Sequence, residues 1–451
     1  MRKTVISMCF FVLALTARCY GSDADIMKEL KDMRALIKEQ GKRIEELERQ
    51  VQDQANENCR IKEVLDETVK DLSLRGVSEK RRHEIEKMSG MAGDIEIGAS
   101  ITAIGQAAPK ANDPGGSADG KEGRFDGSYS ADIEIAKPFD EYGMAFVHFE
   151  AGQGDSVESE LTVFSNVNRD AGDSNARVDV TEAWYEQYIL DEQITVTGGK
   201  IGPDAYIDTN EYANDENTQF LGRMFRNSAV IDWPDDNSFG MRLHISPKIL
   251  VPYLEIDTVY MDEDGDWEGL FNGPFIAAQM NFKPAVLFGD DEEKWAGNYR
   301  AYYWYNGATY ALIKEPDVLE RGLSGFGFSA DQMITDIYGV FGRFGWADPE
   351  KSSLVCDWSI GASMKGSYWG RGDDIAALAV GQAVPGKEYG DMNVYDDPET
   401  HLEAYYSVKV NDHIMLTPDV QIIWQPNGGG TASGGDTDTI FVYGVRAHID
   451  F

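Results

Sequence analysis

The final eleven residues constrain this chain more than any other segment. Phe441, Tyr443, Val445, Ala447, Ile449 and Phe451 are apolar on one parity, while Arg446, His448 and Asp450 are polar on the other. Successive side chains of a β-strand point to opposite faces, so this pattern predicts a strand with one greasy and one polar side. The same period returns upstream. Ile95, Ile97, Ala99 and Ile101 oppose Glu96, Gly98, Ser100 and Thr102. Ala145, Val147, Phe149 and Ala151 oppose Phe146, His148 and Glu150. Met241, Leu243 and Ile245 oppose Arg242 and His244. Trp358, Ile360, Ala362 and Met364 oppose Ser359, Ser363 and Lys365. Ala404, Tyr406, Val408 and Val410 oppose Glu403, Tyr405, Ser407 and Lys409. Alternating segments of about ten residues are the signature of strands that turn apolar side chains to lipid and polar ones to a lumen. In VDVTEAWYEQYI (178–189) either parity fits, so its register stays open.

This reading predicts strands near 95–106, 125–137, 143–152, 177–189, 193–200, 239–247, 249–261, 273–288, 297–306, 325–333, 335–346, 354–367, 373–381, 400–411, 413–424 and 438–451. Their number is about sixteen, even as a closed single-chain antiparallel barrel requires. Short connections fall near 138–140, 190–192, 246–248, 370–372 and 411–412. Long ones fall at 107–124, 153–176, 201–238, 307–324, 382–399 and 425–437. The 289–296 connection (GDDEEKWA) should be short in this scheme and is not. Short turns on one side and long loops on the other are the habit of outer-membrane barrels. No water in the bilayer core satisfies backbone amides, so every strand must be paired on both sides. About sixteen strands enclose an aqueous channel, whereas about eight are filled by their own side chains.

The chain begins differently. Arg2 and Lys3 precede an apolar run from Val5 to Leu15, with small residues at Gly21 and Ser22, which predicts a signal peptide over 1–21. Cys19 would serve a lipid anchor, but the charged Arg18 before it is a poor match to that use. Cys59 and Cys356, the cysteines left after this segment, have no metal-type or disulfide-type spacing. From Ile26 through Leu30, Met33, Ile37, Ile44, Leu47, Val51, Ile61 and Leu65 to Leu72, apolar residues keep one heptad register, with Gln40, Gln54, Asn58 and Thr68 in the gaps. That predicts an α-helical coiled coil over 22–75 in the periplasm, then a linker over 76–92 and the all-β transmembrane antiparallel barrel over 93–451. A single amphipathic helix is the alternative to self-association; the charged remaining faces favour association, with dimer and trimer both open and a homotrimer expected.

Charge sharpens the division. Residues 22–92 carry 17 acids and 15 bases, so most of the net charge of −37 belongs to the barrel. Such a balance excludes nucleic acid, whose binding needs clustered Lys and Arg. The only long apolar run lies within the first 20 residues, which argues against helical membrane spans of about 20 residues each.

Motifs along the barrel resemble the OprB-type carbohydrate-selective porins. They are AFVHFEAGQGD (145–155), EAWYEQYILDEQITVTGGKIGPDAYIDTNEYANDENTQFLGRMFRN (182–227), GFGFSADQ (325–332), VFGRFGWAD (340–348), GRGDD (370–374), LEAYYSVKV (402–410) and LTPDVQIIWQPNG (416–428). The resemblance implies a sixteen-stranded outer-membrane channel favouring monosaccharides. The LbtU-like siderophore porins share much of this pattern, so a siderophore stands as the alternative solute. The coiled coil lies outside the family pattern.

Neutral sugars need hydrogen bonds to hydroxyls and flat apolar faces against their C–H surfaces. Parity makes His148, Glu150, Arg242, Arg300, Arg343, Glu403, Gln421 and Arg446 candidate pore-lining residues, together with Glu255, Asp257, Lys365, Lys409, Asp419 and His448. The resemblance adds loop 201–238, expected to fold inward and narrow the pore. Asn214, Glu216, Gln219, Arg223 and Arg226 are its candidates, with Tyr206, Tyr212 and Phe220 as stacking surfaces. The bland alternative is that these groups only solvate the lumen or brace one another. No GxSxG, HExxH or P-loop occurs, and His148, His244 and His448 lack a marked Ser partner, so no enzyme activity, cofactor or metal is expected. Asp262-Glu263-Asp264-Gly265-Asp266 reads as a solvated hairpin tip. The expected function is passive diffusion of small sugars across the outer membrane, in contact with its lipid. The alternatives are a siderophore or general small-solute porin, or a barrel that anchors the membrane to the cell wall through the coiled coil.

Overall fold

The computed structural model describes residues 95–110, 112, 124–170, 177–248, 250–265, 267, 270–288, 296–392, 396–430 and 437–451. The signal, coiled-coil and linker expectations lie outside these residues.

Sixteen strands follow one another in chain order: β1 Glu96–Ala108, β2 Arg124–Pro138, β3 Gly143–Gln153, β4 Val178–Ile189, β5 Ile194–Ile201, β6 Ser238–Ile245, β7 Leu254–Met261 and β8 Phe275–Phe282. They continue as β9 Gly297–Ala311, β10 Leu319–Met333, β11 Tyr338–Ala347, β12 Leu354–Gly366, β13 Arg371–Pro385, β14 Glu399–Asn411, β15 Ile414–Trp424 and β16 Ile440–Asp450. Every strand pairs antiparallel with its chain neighbours, and β1 pairs with β16 from Ser100↔Asp450 to Ala107↔Tyr443. The sheet is therefore a closed barrel with no free edge, which is what a lipid-embedded sheet needs.

The alternation is obeyed in space. Phe441, Tyr443 and Val445 are exposed on the outer face, where lipid would cover them, and Arg446 and His448 are buried inside. Met241 and Leu243 are likewise outside, with Arg242 and His244 inside. The ambiguous segment resolves into a β-bulge. His148 pairs with Glu182 and Phe149 with Val180, so Thr181 is an extra residue on β4. Val178 and Val180 point outward before it, and after it the outward parity passes to Tyr185 and Ile189 while Trp184, Glu186 and Tyr188 turn in. One inserted residue inverts the phase, which is why both parities fitted the sequence.

Strand ends correct the expected boundaries. β7 starts at Leu254 rather than 249, just after Pro252, and β8 ends at Phe282 rather than 288, before the 3-10 turn Pro284–Phe288. Proline supplies no N–H to the ladder, so both strands stop there. β9 and β10 run further than expected, to Ala311 and from Leu319, which shortens the expected 307–324 loop to 312–318. The β8–β9 connection, 283–296, is long for the turn side, as its sequence suggests.

Two long loops enter the barrel. Loop 202–237, with the one-turn helix α1 (Arg223–Arg226), packs Tyr206, Ile207, Val230 and Ile231 into a cluster with inward Val259, Met261, Phe275, Ala277, Tyr302 and Trp304. Its Ala213, Phe220, Met224 and Phe225 form a second cluster with Phe341, Ala377, Ala379 and Tyr405. Loop 154–177 sets Val157, Leu161 and Val167 against Ile423, Ile440 and Val442. The apolar core of this molecule thus sits inside the barrel. Each buried aliphatic side chain there contributes roughly 1.5–3 kcal/mol.

Candidate channel and its lining

Carboxylates on the wall fasten the inward loops by accepting their backbone N–H groups. Glu403 on β14 takes N–H donors from Leu221 at 2.6 Å and Gly222 at 2.9 Å. Glu399, four residues earlier on the same inward parity, accepts from Phe164 at 2.9 Å, Ser165 at 2.8 Å and Asn427 at 2.7 Å. Asp357 on β12 accepts from Ser228 Oγ at 2.5 Å and from the Ala229 N–H at 2.8 Å. Hydrogen bonds to charged acceptors contribute about 1.5–3 kcal/mol each, so the loops are braced rather than draped.

Arginines on the wall do the complementary work on carbonyl oxygens and loop carboxylates. Arg343 of β11 pairs with Asp208 at 3.2 Å and donates to Asn214 Oδ1 at 3.1 Å and to the Phe225 carbonyl. Both side chains of the Arg343–Asp208 pair are fully buried. Arg446 of β16 donates to the Glu216 and Gln219 carbonyls at 2.7 and 2.8 Å. Arg242 pairs with Asp257 at 2.6 Å and lies 4.4 Å over the Tyr206 ring. Arg300 pairs with Asp331. Gln421 donates to the Val167 carbonyl at 2.9 Å. Within loop 202–237, Arg226 is clamped between Glu216 and Asp204, the latter at 2.7 Å. Burial opposes its charge, but those two carboxylates hold the guanidinium above its ordinary range. Arg223 donates to the Ile231 carbonyl at 3.1 Å, and burial first, then Arg169 nearby, push it down to about 10.

Beside this brace runs a cavity of about 790 Å³. Its lining reaches Thr335, Asp336 and Asp450 at the turn end of the barrel, and Asp235 and Asp236, just before β6, at the loop end. Of the residues singled out in the sequence, His148, Glu150, Asn214, Glu216, Gln219 and Arg226 line it, as do Tyr212, Lys365 and His448. His148 is held by Asp132 at 3.0 Å and Thr181 at 2.9 Å. Arg223, Arg242, Arg300, Arg343, Glu403, Gln421 and Arg446 are not among the lining residues. Arg343, Glu403, Gln421 and Arg446 bond to the inward loops, Arg223 belongs to loop 202–237 itself, and Arg242 and Arg300 pair with the wall residues Asp257 and Asp331. Glu255, Asp257 and Asp419 stay off the lining too, and Lys409 faces Asp412 at a turn, 3.1 Å away. Tyr206 and Phe220, expected as stacking surfaces, are 4% and 1% exposed. Phe220 packs on Phe225, Phe341 and Tyr405, and Tyr206 beneath Arg242, so neither presents a face to solute.

Other lining residues escaped the sequence reading. Asp132 and Glu134 sit on a wall parity that had no marked pattern, and Arg169 and Asp170 lie on loop 154–177. A signal for that loop existed: Val157, Leu161, Val163, Phe164 and Val167 are too many apolar residues for a segment bathed in water. Thirteen carboxylate side chains line the cavity, against Arg169, Arg226 and Lys365. The wall offers hydrogen-bonding groups throughout and a strong excess of negative charge. Among the described residues no group of His, Cys, Asp and Glu is arranged to hold a metal ion.

Comparison with known proteins agrees with this architecture. The profile of the carbohydrate-selective porin, OprB family, matches residues 118–451. Porin AaxA of Chlamydia abortus is 21% identical over 311 residues, 68% of this chain; the chain spans only 64% of that relative's length. The high-pH structure of Pseudomonas putida OprB superposes with a TM-score of 0.66 at 14% identity, covering 83% of this chain and 96% of that one. The low-pH structure of the same porin gives 0.47 at the same identity. The chain belongs to the OprB family of carbohydrate-selective porins, outer-membrane channels built on a closed β-barrel.

Proposed function

We propose that this protein lets small carbohydrates, monosaccharides among them, diffuse passively across the outer membrane. One observation carries the reading: a sixteen-stranded barrel, wide enough for an aqueous bore, is narrowed by braced inward loops to a polar passage whose lining spans both ends. Lining amides and carboxylates such as Asn214, Gln219 and Glu150 suit hydroxyl groups, and Tyr212 and Trp233 are aromatic residues that line the passage from loop 202–237. Binding must be weak enough for fast exit, so exchange of short hydrogen bonds suits conduction better than a tight site. The passage needs no cofactor, energy source or catalytic group. We infer further that residues 22–75 form a periplasmic coiled coil joining three copies, after removal of 1–21, with 76–92 as linker.

Single-channel conductance in planar bilayers, with glucose and other monosaccharides titrated in, tests the reading. Dose-dependent blocking is expected. Conductance indifferent to sugar would instead fit a general small-solute pore or a wall-tethered anchor. Failure of a deletion strain to grow under iron starvation would turn the assignment to a siderophore. Cross-linking of the full chain should trap a trimer, and removal of 22–75 should abolish it.

A further inference from the structure

Asp170 stands at the channel wall with half of its carboxylate unanswered. Oδ1 accepts a hydrogen bond from Ser130 Oγ at 2.8 Å, but Oδ2 is buried with no partner. The residue is 9% exposed and lines the cavity. Leaving a buried acceptor unmet costs about 1–3 kcal/mol, and more when it is charged. A site that carries such a cost has a use for a donor that comes and goes.

The surroundings say what charge that donor should bear. Burial first, then the nearby carboxylates Glu216, Asp132 and Glu150, raise the proton affinity of Asp170. All three carboxylates line the same cavity. Arg226 is already occupied by Glu216 and Asp204. Arg169, next in the chain, has Arg226, Glu216, Asp204 and Glu150 as electrostatic neighbours. The lining as a whole carries thirteen carboxylate side chains against Arg169, Arg226 and Lys365. The lining around Asp170 is thus short of positive charge, and Asp170 Oδ2 lacks a hydrogen-bond donor.

A protonated amine supplies both. We propose that the channel favours sugars bearing a protonated amino group over neutral and acidic sugars, the ammonium being drawn to Asp170 and its neighbours Asp132, Glu150 and Glu216. The inference rests on the carbohydrate-channel reading above and narrows its solute class. Attraction of this kind stays weak in a water-filled passage, where the effective dielectric is high, and so speeds passage instead of trapping the solute.

The test is an isosteric series: glucosamine, glucose and glucuronate in liposome-swelling assays on the full-length protein. Glucosamine should permeate fastest and glucuronate slowest, with steps of roughly threefold to tenfold, the range a single screened charge contributes. The spread should shrink in high salt, as screening shortens to about 3 Å at 1 M. D170N should lower the glucosamine-to-glucose ratio, and Glu150→Gln provides a second variant should D170N fail to assemble. Glucose passing as fast as glucosamine, or variants that leave the ratio untouched, would overturn the proposal while leaving the carbohydrate channel standing. Protein-free rates for all three sugars would sink the carbohydrate reading itself.

Discussion

Two stretches of the inner wall use the same inward parity in opposite ways. Along β7–β9, inward Val259, Met261, Phe275, Ala277, Tyr302 and Trp304 are sealed under loop 202–237. Along β1–β3, inward Ser100, Ser130, Asp132, Glu134, His148 and Glu150 stay on the water-filled side. Alternation decides which way a side chain points. What it meets there is decided by a loop far away in sequence. The difference teaches that one half of the lumen is a folded core and the other is the conduit, and that charged residues belong to both. Arg343 and Arg446 are structural where the loop covers them, whereas Arg169 is left to the solute path.

Removing a brace should blur that division most. Arg343→Ala leaves Asp208 buried without its cation, a loss of about 3–5 kcal/mol for a buried pair broken on one side. The expected result is a lower thermal unfolding midpoint in detergent together with a larger single-channel conductance, as loop 202–237 loosens. An unchanged conductance would mean the loop holds without this pair. Ile231→Ala comes next. Ile231 is 1% exposed inside the same apolar cluster, so truncation should cost roughly 2–4 kcal/mol through lost burial and a residual cavity. Because it lies away from the lining, sugar discrimination should survive; a variant that lost selectivity at full stability would deny the separation of core from conduit.

How much of this was written in the sequence follows the same division. The sixteen strands were legible because lipid enforces the outer parity residue by residue, and Pro252 and Pro284 marked the stops that the apolar runs concealed. The Thr181 bulge was not legible, since an inserted residue reads equally well in either phase until a partner strand fixes the count. The inward turn of loop 202–237 came from family resemblance, not from its own pattern. That Glu403 and Gln421 would serve the backbone of loops, and that Asp170 would reach the channel, depends on contacts between residues more than a hundred positions apart or on a loop whose apolar residues carried the only hint. Parity has no reach over such distances.

A proton probes the conduit alone. The raised proton affinity of Asp170 means that it takes up a proton at pH values where ordinary carboxylates, near 4, are still charged. Its negative charge is therefore present at high pH and lost early as pH falls. Asp132 from β2, Glu150 from β3 and Glu216 from loop 202–237 face it with like charge, and Arg226 and Arg169 bear on the same neighbourhood. The glucosamine-to-glucose ratio should decline as the pH is lowered, beginning above the usual carboxylate range. A ratio flat down to about pH 4 would remove Asp170 from the selectivity of the channel.

The smallest effect belongs outside both halves. Lys409 and Asp412 form a 3.1 Å ion pair at the β14–β15 turn, with side chains 35% and 89% exposed. Water already solvates both charges, and the pair sits three residues apart on a turn that backbone hydrogen bonds define, so Lys409→Ala should change stability by less than about 0.5 kcal/mol. Conductance and sugar ratios should not move, because neither residue lines the cavity. The contrast with Arg343→Ala is the point of the measurement: both remove one cation from one carboxylate at close to 3 Å, and they differ in whether a loop has shut the pair away from water. If the two variants cost the same, burial under loop 202–237 is not what distinguishes the braced half of the lumen.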